Sequence, residues 1–132
     1  MSKPFIWPVR VYYEDTDAGG VVFYANYLKF MERARTEYLR SFGYEQDTLM
    51  VNEGIIFAVR SLAVDYRKPA RFNQLLQVSA EIKTLKKASL EFSQQINHND
   101  TVLVTGDVRI ACVDVNTMKP KAIPPNLLEH II

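Results

Sequence analysis

The alternation of apolar and polar positions is clearest in the second half of the chain. Residues 76–84 and 89–97 each carry apolar side chains at every second position on one face. A period of two predicts half-buried β-strands, and the His-Asn-Asp sequence at 98–100 predicts a hairpin turn after them. The inward-facing positions are Leu76, Val78, Ala80, Ile82, Leu90, Phe92 and Ile96.

Three further segments have strand character. Residues 56–67 and 101–115 are long and rich in β-branched residues, and residues 8–14 (PVRVYYE) predict a first strand. Within the last long strand, Gly106 indicates a β-bulge. The tail from residue 119 to 132 contains three of the six prolines, and we expect it to lie on the surface.

One segment has a helical period instead. Residues 26–42 repeat apolar side chains at three- and four-residue steps, which predicts one long amphipathic helix. Asn26 is a candidate N-cap and Gly43 a C′ residue that ends the helix. Residues 46–53 are expected to form a short second helix before Gly54.

The predicted order is one strand, one long helix and four antiparallel strands. A helix with a single apolar stripe must cover it against the inner face of the sheet. The pattern therefore predicts an α+β fold with one principal helix wrapped by an antiparallel sheet of about five strands, which is the outline of the hotdog fold. A length of 132 residues suits a single domain spanning 1–132.

Composition narrows the function classes. The net charge is +1, from 16 Lys and Arg against 15 Asp and Glu, so we expect no nucleic-acid partner. Two histidines and Cys112, all far apart, give no metal-ligand spacing and no internal disulfide. The first ten residues hold no signal-peptide stretch, and the longest aliphatic or aromatic run is Ile55 to Val59. We therefore expect a cytoplasmic protein that needs neither a metal nor another cofactor.

The segment with the clearest candidates for catalysis lies between the first strand and the long helix. Glu14, Asp15 and Asp17 crowd before a glycine turn, and the helix starts a few residues later. Unpaired N–H groups at a helix N-terminus can stabilise the oxyanion of a thioester, while a nearby carboxylate attacks it or activates a water. A solvated or capping acidic cluster is the plainer interpretation of the same residues.

A resemblance favours the catalytic interpretation. The segments WPVRVYYEDTDAGGVV and ANYLKFMERARTE resemble the 4-hydroxybenzoyl-CoA thioesterase-like group of hotdog enzymes, and within it the Tol–Pal-associated acyl-CoA thioesterase branch. The similarity continues more loosely through FAVRSLAVDYRKPARF, KKASLEF and CVDVNTMKPKAIP, so it covers nearly the whole chain.

The resemblance assigns roles to particular residues. It implies that Asp17, the second Asp of the DTD triplet, is the catalytic carboxylate, and that a backbone N–H near Tyr24 is the oxyanion donor. The Tol–Pal branch usually has His where this chain has Tyr24, whereas the hydroxybenzoyl branch resembles this chain in having Tyr there. Another hotdog branch uses a carboxylate on the helix, which makes Glu32 the reserve candidate.

Further residues are candidates for substrate binding. Turn residues bring backbone close to the substrate, and basic side chains suit the phosphates of CoA, although solvated loop ends explain the latter equally well. The candidates are Thr16, Gly19, Gly20, Asn26, Arg67, Arg71, Lys86, Lys87 and Ser89.

The sequence thus predicts a hydrolase acting on an acyl-CoA or acyl carrier protein thioester. A non-catalytic acyl-binding or scaffold module is the alternative, and a hotdog dehydratase ranks lower because both histidines lie outside the DTD segment. An exposed sheet edge invites pairing, and hotdog relatives pair their sheets, so we expect a homo-oligomer, a dimer or tetramer. A link to the Tol–Pal system of the cell envelope is implied by the resemblance alone.

Overall fold

The computed structural model describes residues 4–131 and contains one five-stranded antiparallel sheet. The strands occur in the spatial order β1-β3-β4-β5-β2, so β1 and β2 form the two edges. Their bounds are β1 Phe5–Arg10, β2 Ile55–Tyr66, β3 Leu75–Leu85, β4 Ser89–His98 and β5 Thr101–Asp114. The α+β hotdog architecture expected from the sequence is confirmed.

Alternation places one face of the sheet in the core. Every inward position predicted on β3 and β4 is buried, with Leu76, Val78 and Ala80 fully so. Between Phe92 and Ile96 the same face also buries Gln94, a polar residue that the alternation skipped. The hydrophobic effect thus sets the register of these strands, because a slip of one residue would turn the apolar set to solvent.

The long helix α1, Asn26–Arg40, lies on that inner face. Its buried stripe is Tyr27, Phe30, Met31, Ala34, Tyr38 and Leu39. The Gly43 N–H donates to the Arg40 carbonyl and the Tyr44 N–H donates to the Leu39 carbonyl, a Schellman pattern with Gly43 at C′. The predicted role of Gly43 in ending the helix is therefore confirmed, although α1 ends at Arg40, two residues before the predicted end. The second helix, α2, spans Gln46–Glu53 as predicted, and Gly54 closes it with φ +66°.

Gly106 has a different role from the one predicted. It pairs in register with Val64 on β2 and Gln94 on β4, so no bulge occurs there. A Cβ at this position would lie 2.9 Å from the Met31 Cε atom. The glycine instead makes room for α1 against the middle of the sheet. The β2–β5 register shifts elsewhere, between Val59 and Ser61.

The first strand is shorter and earlier than predicted. It ends at Arg10, and residues 13–15 form a single 3₁₀ turn instead of the end of a strand. The reason is local: the carboxylate of Asp15 accepts the Tyr12 N–H at 2.8 Å, which turns the chain away from the sheet.

The prediction that the tail lies on the surface is also wrong. Pro125–Ile131 forms a third helix, α3, and its Leu127 and Ile131 are buried together with Ile123. These three residues are four apart, which is the spacing of one helix face, and Pro125 occupies the first helical position. Ile132 lies outside the described residues. Over residues 4–131, no helix has the length and apolar character needed to cross a membrane.

Candidate active site

The DTD segment forms a tight loop whose backbone is closed by its own hydrogen bonds. The Asp17 N–H donates to the Val21 carbonyl at 2.9 Å, and the Gly20 N–H donates to the Asp17 carbonyl at 3.0 Å. Thr16 and Val22 form a bridge across the base of the loop. Gly20 has φ +81°, a conformation that favours glycine, as the turn prediction required.

The Asp17 carboxylate stands at the tip of this loop. Its Oδ1 atom accepts the Gly19 N–H at 2.8 Å, and the side chain is exposed. A Cβ on residue 19 would lie 3.2 Å from the same oxygen, so glycine also leaves room for the carboxylate. The arrangement fixes one carboxylate oxygen, and among the described residues the other accepts no hydrogen bond.

Asp15 and Asn26 tie this loop to α1. The Asp15 carbonyl accepts both the Phe23 N–H and the Asn26 Nδ2, each at 2.9 Å. The predicted N-cap role of Asn26 is wrong, because Ala25 occupies the cap and Asn26 is the first helical residue. Its side chain reaches back to hold the loop instead, which keeps Asp17 in a fixed relation to the helix.

The start of α1 offers an unpaired donor beside the loop. Among the described residues, the N–H groups of Tyr24 and Ala25 have no hydrogen-bond partner, whereas the Phe23 and Asn26 N–H groups on either side are bonded. A free N–H at the positive end of a helix suits a developing negative charge. The Tyr24 ring is 62% exposed and contacts Phe23 and Tyr66 without forming a hydrogen bond.

Three tyrosines line a depression of about 260 Å³ next to this donor, together with Arg67 and Lys68. The Tyr27 hydroxyl accepts the Ala70 N–H at 2.9 Å. Burial raises the pKa of Tyr27, and the charge of Asp17 adds to the rise, so the phenol lies within the field of that carboxylate. Burial also raises the pKa of Tyr66. The sequence did not single out Tyr27 or Tyr66.

The two predicted arginines lie at the same end of the sheet. Arg71 forms a backbone bridge with Val21 of the loop, and Arg67 borders the tyrosine depression. Arg67 pairs with Asp65 on the surface at 3.1 Å. Thr16 donates its hydroxyl to the Tyr13 carbonyl, so its observed contact is structural.

The other predicted substrate-binding residues lie far from Asp17 in the same chain. Lys86, Lys87 and Ser89 form the hairpin between β3 and β4, whereas the Asp17 loop adjoins the start of β3. Eleven residues of β3 separate the two ends, which is about 35 Å at the usual strand rise. One chain therefore does not bring these candidates to Asp17.

Sequence reasoning missed two cations beside that hairpin. Arg60 and Arg109 line a depression of about 260 Å³ with Lys86 and Ser89. Arg60 is the extra residue at the β2 irregularity, which the sequence does not mark. His98 ends β4 and His130 stacks on Phe42, and neither histidine contacts Asp17 among the described residues. Within residues 4–131, no three His, Cys, Asp or Glu side chains form a metal-binding group.

The remaining acidic candidates have simpler roles. Glu14 is exposed beside the 3₁₀ turn, and Glu32 lies on α1 near Arg35. Cys112 is buried, and burial raises the pKa of its thiol to about 11, in line with its predicted packing role.

Comparison with known proteins identifies the family. A family model described as the thioesterase-like superfamily matches residues 11–131. The chain belongs to this superfamily. It is 49% identical over 124 residues to the acyl-CoA thioesterase YbgC of Haemophilus influenzae, which covers 94% of this chain and 91% of the relative. It is 48% identical over 125 residues to the acyl-CoA thioester hydrolase YbgC of Escherichia coli O157:H7, covering 94% and 92%.

Solved structures agree with this membership. A probable thioesterase from Bartonella henselae superimposes with a TM-score of 0.89 at 36% identity, covering 92% of this chain and all of that one. The matched range contains the Asp17 loop, α1 and the β3–β4 hairpin. The family resemblance drawn from the DTD and ANYLKF segments is therefore confirmed.

Proposed function

We propose that this thioesterase-like protein hydrolyses acyl-CoA, or a related acyl carrier protein thioester, to a free acid and a thiol. The observation that carries the proposal is the loop-held Asp17 carboxylate, in a loop bonded through Asp15 to the start of α1, where the Tyr24 N–H is unpaired. The YbgC relatives, named as acyl-CoA thioesterases, support the choice of substrate.

Asp17 acts on the thioester carbonyl in one of two ways. As a nucleophile, its free oxygen attacks the carbonyl carbon, the C–S bond breaks, and water then hydrolyses the mixed anhydride. As a general base, it takes a proton from the water that attacks. In both routes the thiolate leaves and gains a proton, and the Tyr24 N–H donates to the carbonyl oxygen as negative charge develops on it.

Substrate binding in this proposal uses both ends of the sheet. Gly19, Gly20 and Thr16 bring backbone to the reacting group, while Asn26 fixes the loop. Arg67 and Arg71 lie close enough to Asp17 to contact the same substrate. Lys86, Lys87 and Ser89 would reach it only from a neighbouring copy, because the length of β3, about 35 Å, separates their hairpin from the Asp17 end of the sheet.

A homo-oligomer therefore forms part of the proposal. The outer edge of β2 pairs with no strand among the described residues, and its Val59, Leu62 and Tyr66 are 48%, 45% and 44% exposed. Pairing of two β2 edges would satisfy the backbone groups and cover these side chains. We propose a dimer built on this edge, with pairs of dimers forming the homotetramer. A monomer in light scattering at micromolar concentration would contradict it.

The alternatives have less support. A dehydratase would need a histidine beside Asp17, and both histidines lie elsewhere. A non-catalytic acyl-binding module would not need a carboxylate held with one oxygen free. We further propose a cytoplasmic location, and a connection with the Tol–Pal system rests only on the sequence resemblance.

The deciding experiment measures thiol release from acyl thioesters of increasing chain length, on CoA and on carrier protein. We expect turnover with acyl-CoA that depends on chain length. Absence of thiol release from every thioester, with binding intact, would favour the acyl-binding module.

A further inference from the structure

Arg35 is held in an unusual place on α1. Its Nη1 donates to the Gln94 Oε1 at 3.0 Å, and Gln94 is only 1% exposed. The Gln94 Nε2 donates to the carbonyls of Met31 and Ser79, both at 3.0 Å. Because both amide hydrogens are used, Oε1 is fixed toward Arg35, and the guanidinium is oriented by a buried residue.

Arg35 borders a groove between α1 and β2, which we call the α1–β2 groove. The tyrosine depression, where Tyr24 contacts Tyr66, is a separate depression near the N-terminal end of the same helix. The groove passes Leu28 and Leu62 and ends in a cavity of about 110 Å³ below Leu39. Besides Arg35, the cavity is lined by the polar side chains Glu32, Thr36 and Gln46. Its other walls are apolar and include Phe57, Val59, Leu90, Phe92 and Ile110.

The Arg35 guanidinium forms no ion pair with a described residue in this cavity. Among the described residues, no carboxylate lies within ion-pair distance of Arg35. Burial lowers the pKa of Arg35, while the charge of Glu32 opposes this shift. An arginine has five N–H donors, and the structure shows one of them bonded to protein. A half-buried cation with free donors beside a mostly apolar cavity suits an anionic oxygen ligand.

We propose that Arg35 determines acyl specificity by binding a carboxylate at the far end of the acyl group. The inference rests on the proposed thioester hydrolysis. Asn26 to Arg35 spans about 14 Å along the helix, so an extended acyl chain of medium length would connect Asp17 with Arg35. Gln94 is the positioning residue that orients the guanidinium.

The test compares acyl groups of equal length with and without a terminal carboxylate. The substrates are suberoyl-CoA against octanoyl-CoA and sebacoyl-CoA against decanoyl-CoA, assayed by thiol release. We expect the protein to prefer the carboxylate-bearing partner. Arg35→Met should lower kcat/KM for that partner by about 10- to 100-fold, mainly through KM, because hydrogen bonds to a charged group are lost. The plain acyl-CoA should change by less than about 3-fold, because it has no carboxylate for the guanidinium to bind.

Arg33→Met is the matched control, because Arg33 is exposed on the same helix and lies over the Phe30 ring. It should leave the preference unchanged. An equal loss on both substrates with Arg35→Met, or no preference in the unmodified protein, would overturn the proposal.

Two further measurements distinguish a failure of this proposal from a failure of the proposed thioester hydrolysis. Calorimetric binding of suberoyl-CoA and octanoyl-CoA reports the Arg35 contact even if no thioester is hydrolysed, and equal affinities would contradict it. If Arg35→Met does not fold, the unmodified protein is assayed with an acyl-CoA whose acyl chain ends in an amine. The amine should be rejected relative to the carboxylate, and equal turnover of the two would refute the role of Arg35.

Discussion

The two ends of the sheet are built in contrasting ways. At the loop end, defined by residues 15–26, backbone hydrogen bonds and the Asn26 side chain fix the Asp17 carboxylate against α1. At the hairpin end, Lys86 and Ser89 lie with Arg60 and Arg109 around a surface depression. The first end supplies fixed geometry and the second supplies charge.

This contrast separates two requirements of catalysis. Chemistry at a carbonyl needs groups held within a fraction of an ångström, whereas binding of phosphates tolerates flexible cations. Changes at the loop end should therefore act mainly on kcat, and changes at the hairpin end mainly on KM. The following experiments test that division.

The largest effect is expected from Asp17→Asn, which keeps the shape of the side chain and removes its charge. Loss of a nucleophile or general base should lower kcat by at least about 10²–10⁴-fold, with acyl-CoA binding retained. The measurement is steady-state thiol release, with Glu14→Gln as the exposed acidic control. If Asp17→Asn kept near-full turnover and Glu32→Gln were inactive, the catalytic carboxylate would be Glu32 on the helix.

A smaller loss of kcat is expected from Gly19→Ala. The new Cβ would lie 3.2 Å from the Asp17 Oδ1, so the carboxylate must shift by a few tenths of an ångström. We expect kcat to fall by about 10-fold with little change in thermal stability, since small misplacements of reacting groups are costly.

Gly43→Ala provides the control for that change. Gly43 has φ +89° and lies at the end of α1, away from Asp17. Alanine there should reduce the free energy of unfolding by about 1 kcal/mol and leave kcat unchanged. If both variants lost activity in proportion to stability, the loop would have no special geometric role.

At the hairpin end, Lys86→Gln combined with Lys87→Gln should raise KM for acyl-CoA by about 3- to 10-fold with kcat unchanged, because two surface charges contribute modestly. The effect should shrink at high salt and vanish with a thioester that lacks the nucleotide. Lys119→Gln serves as the control. An unchanged KM would exclude these lysines from CoA binding.

The smallest effect is expected from Tyr24→Phe. If its backbone N–H is the group that acts, kcat should stay within several-fold, whereas loss of an oxyanion donor costs about 10²–10³-fold. The comparison is again made by thiol release. A Tyr24→Phe protein that binds substrate but does not turn it over would make the phenol a catalytic group.

The sequence predicted most of the fold because the signals were periodic. Alternation at 76–84 and the helical stripe at 26–42 reflect burial on one face, and burial determines both elements. The first strand and the tail were mistaken for local reasons. A single hydrogen bond from Tyr12 to Asp15 ends the strand early, and three apolar residues at four-residue spacing bury a proline-rich tail.

The site was predicted less completely because the spacing of residues in the sequence does not show which distant segments meet in space. Asp17 and Tyr24 are near neighbours in the chain, so their placement between β1 and the start of α1 was foreseeable. Tyr66 and Arg60 reach their places through the pairing of β2 with β5, which no local pattern reveals. Gln94 did carry a signal, as a polar residue in an otherwise apolar alternation.

The burial of Cys112 makes the protein well suited to spectroscopic assay. Reagents that detect free thiols react with the thiolate, and a pKa of about 11 leaves roughly one Cys112 in a thousand ionised at pH 8. The colour that develops with an acyl-CoA therefore reports released CoA alone. When the chain opens, the same cysteine becomes reactive, so its labelling rate under native conditions measures how often each variant opens.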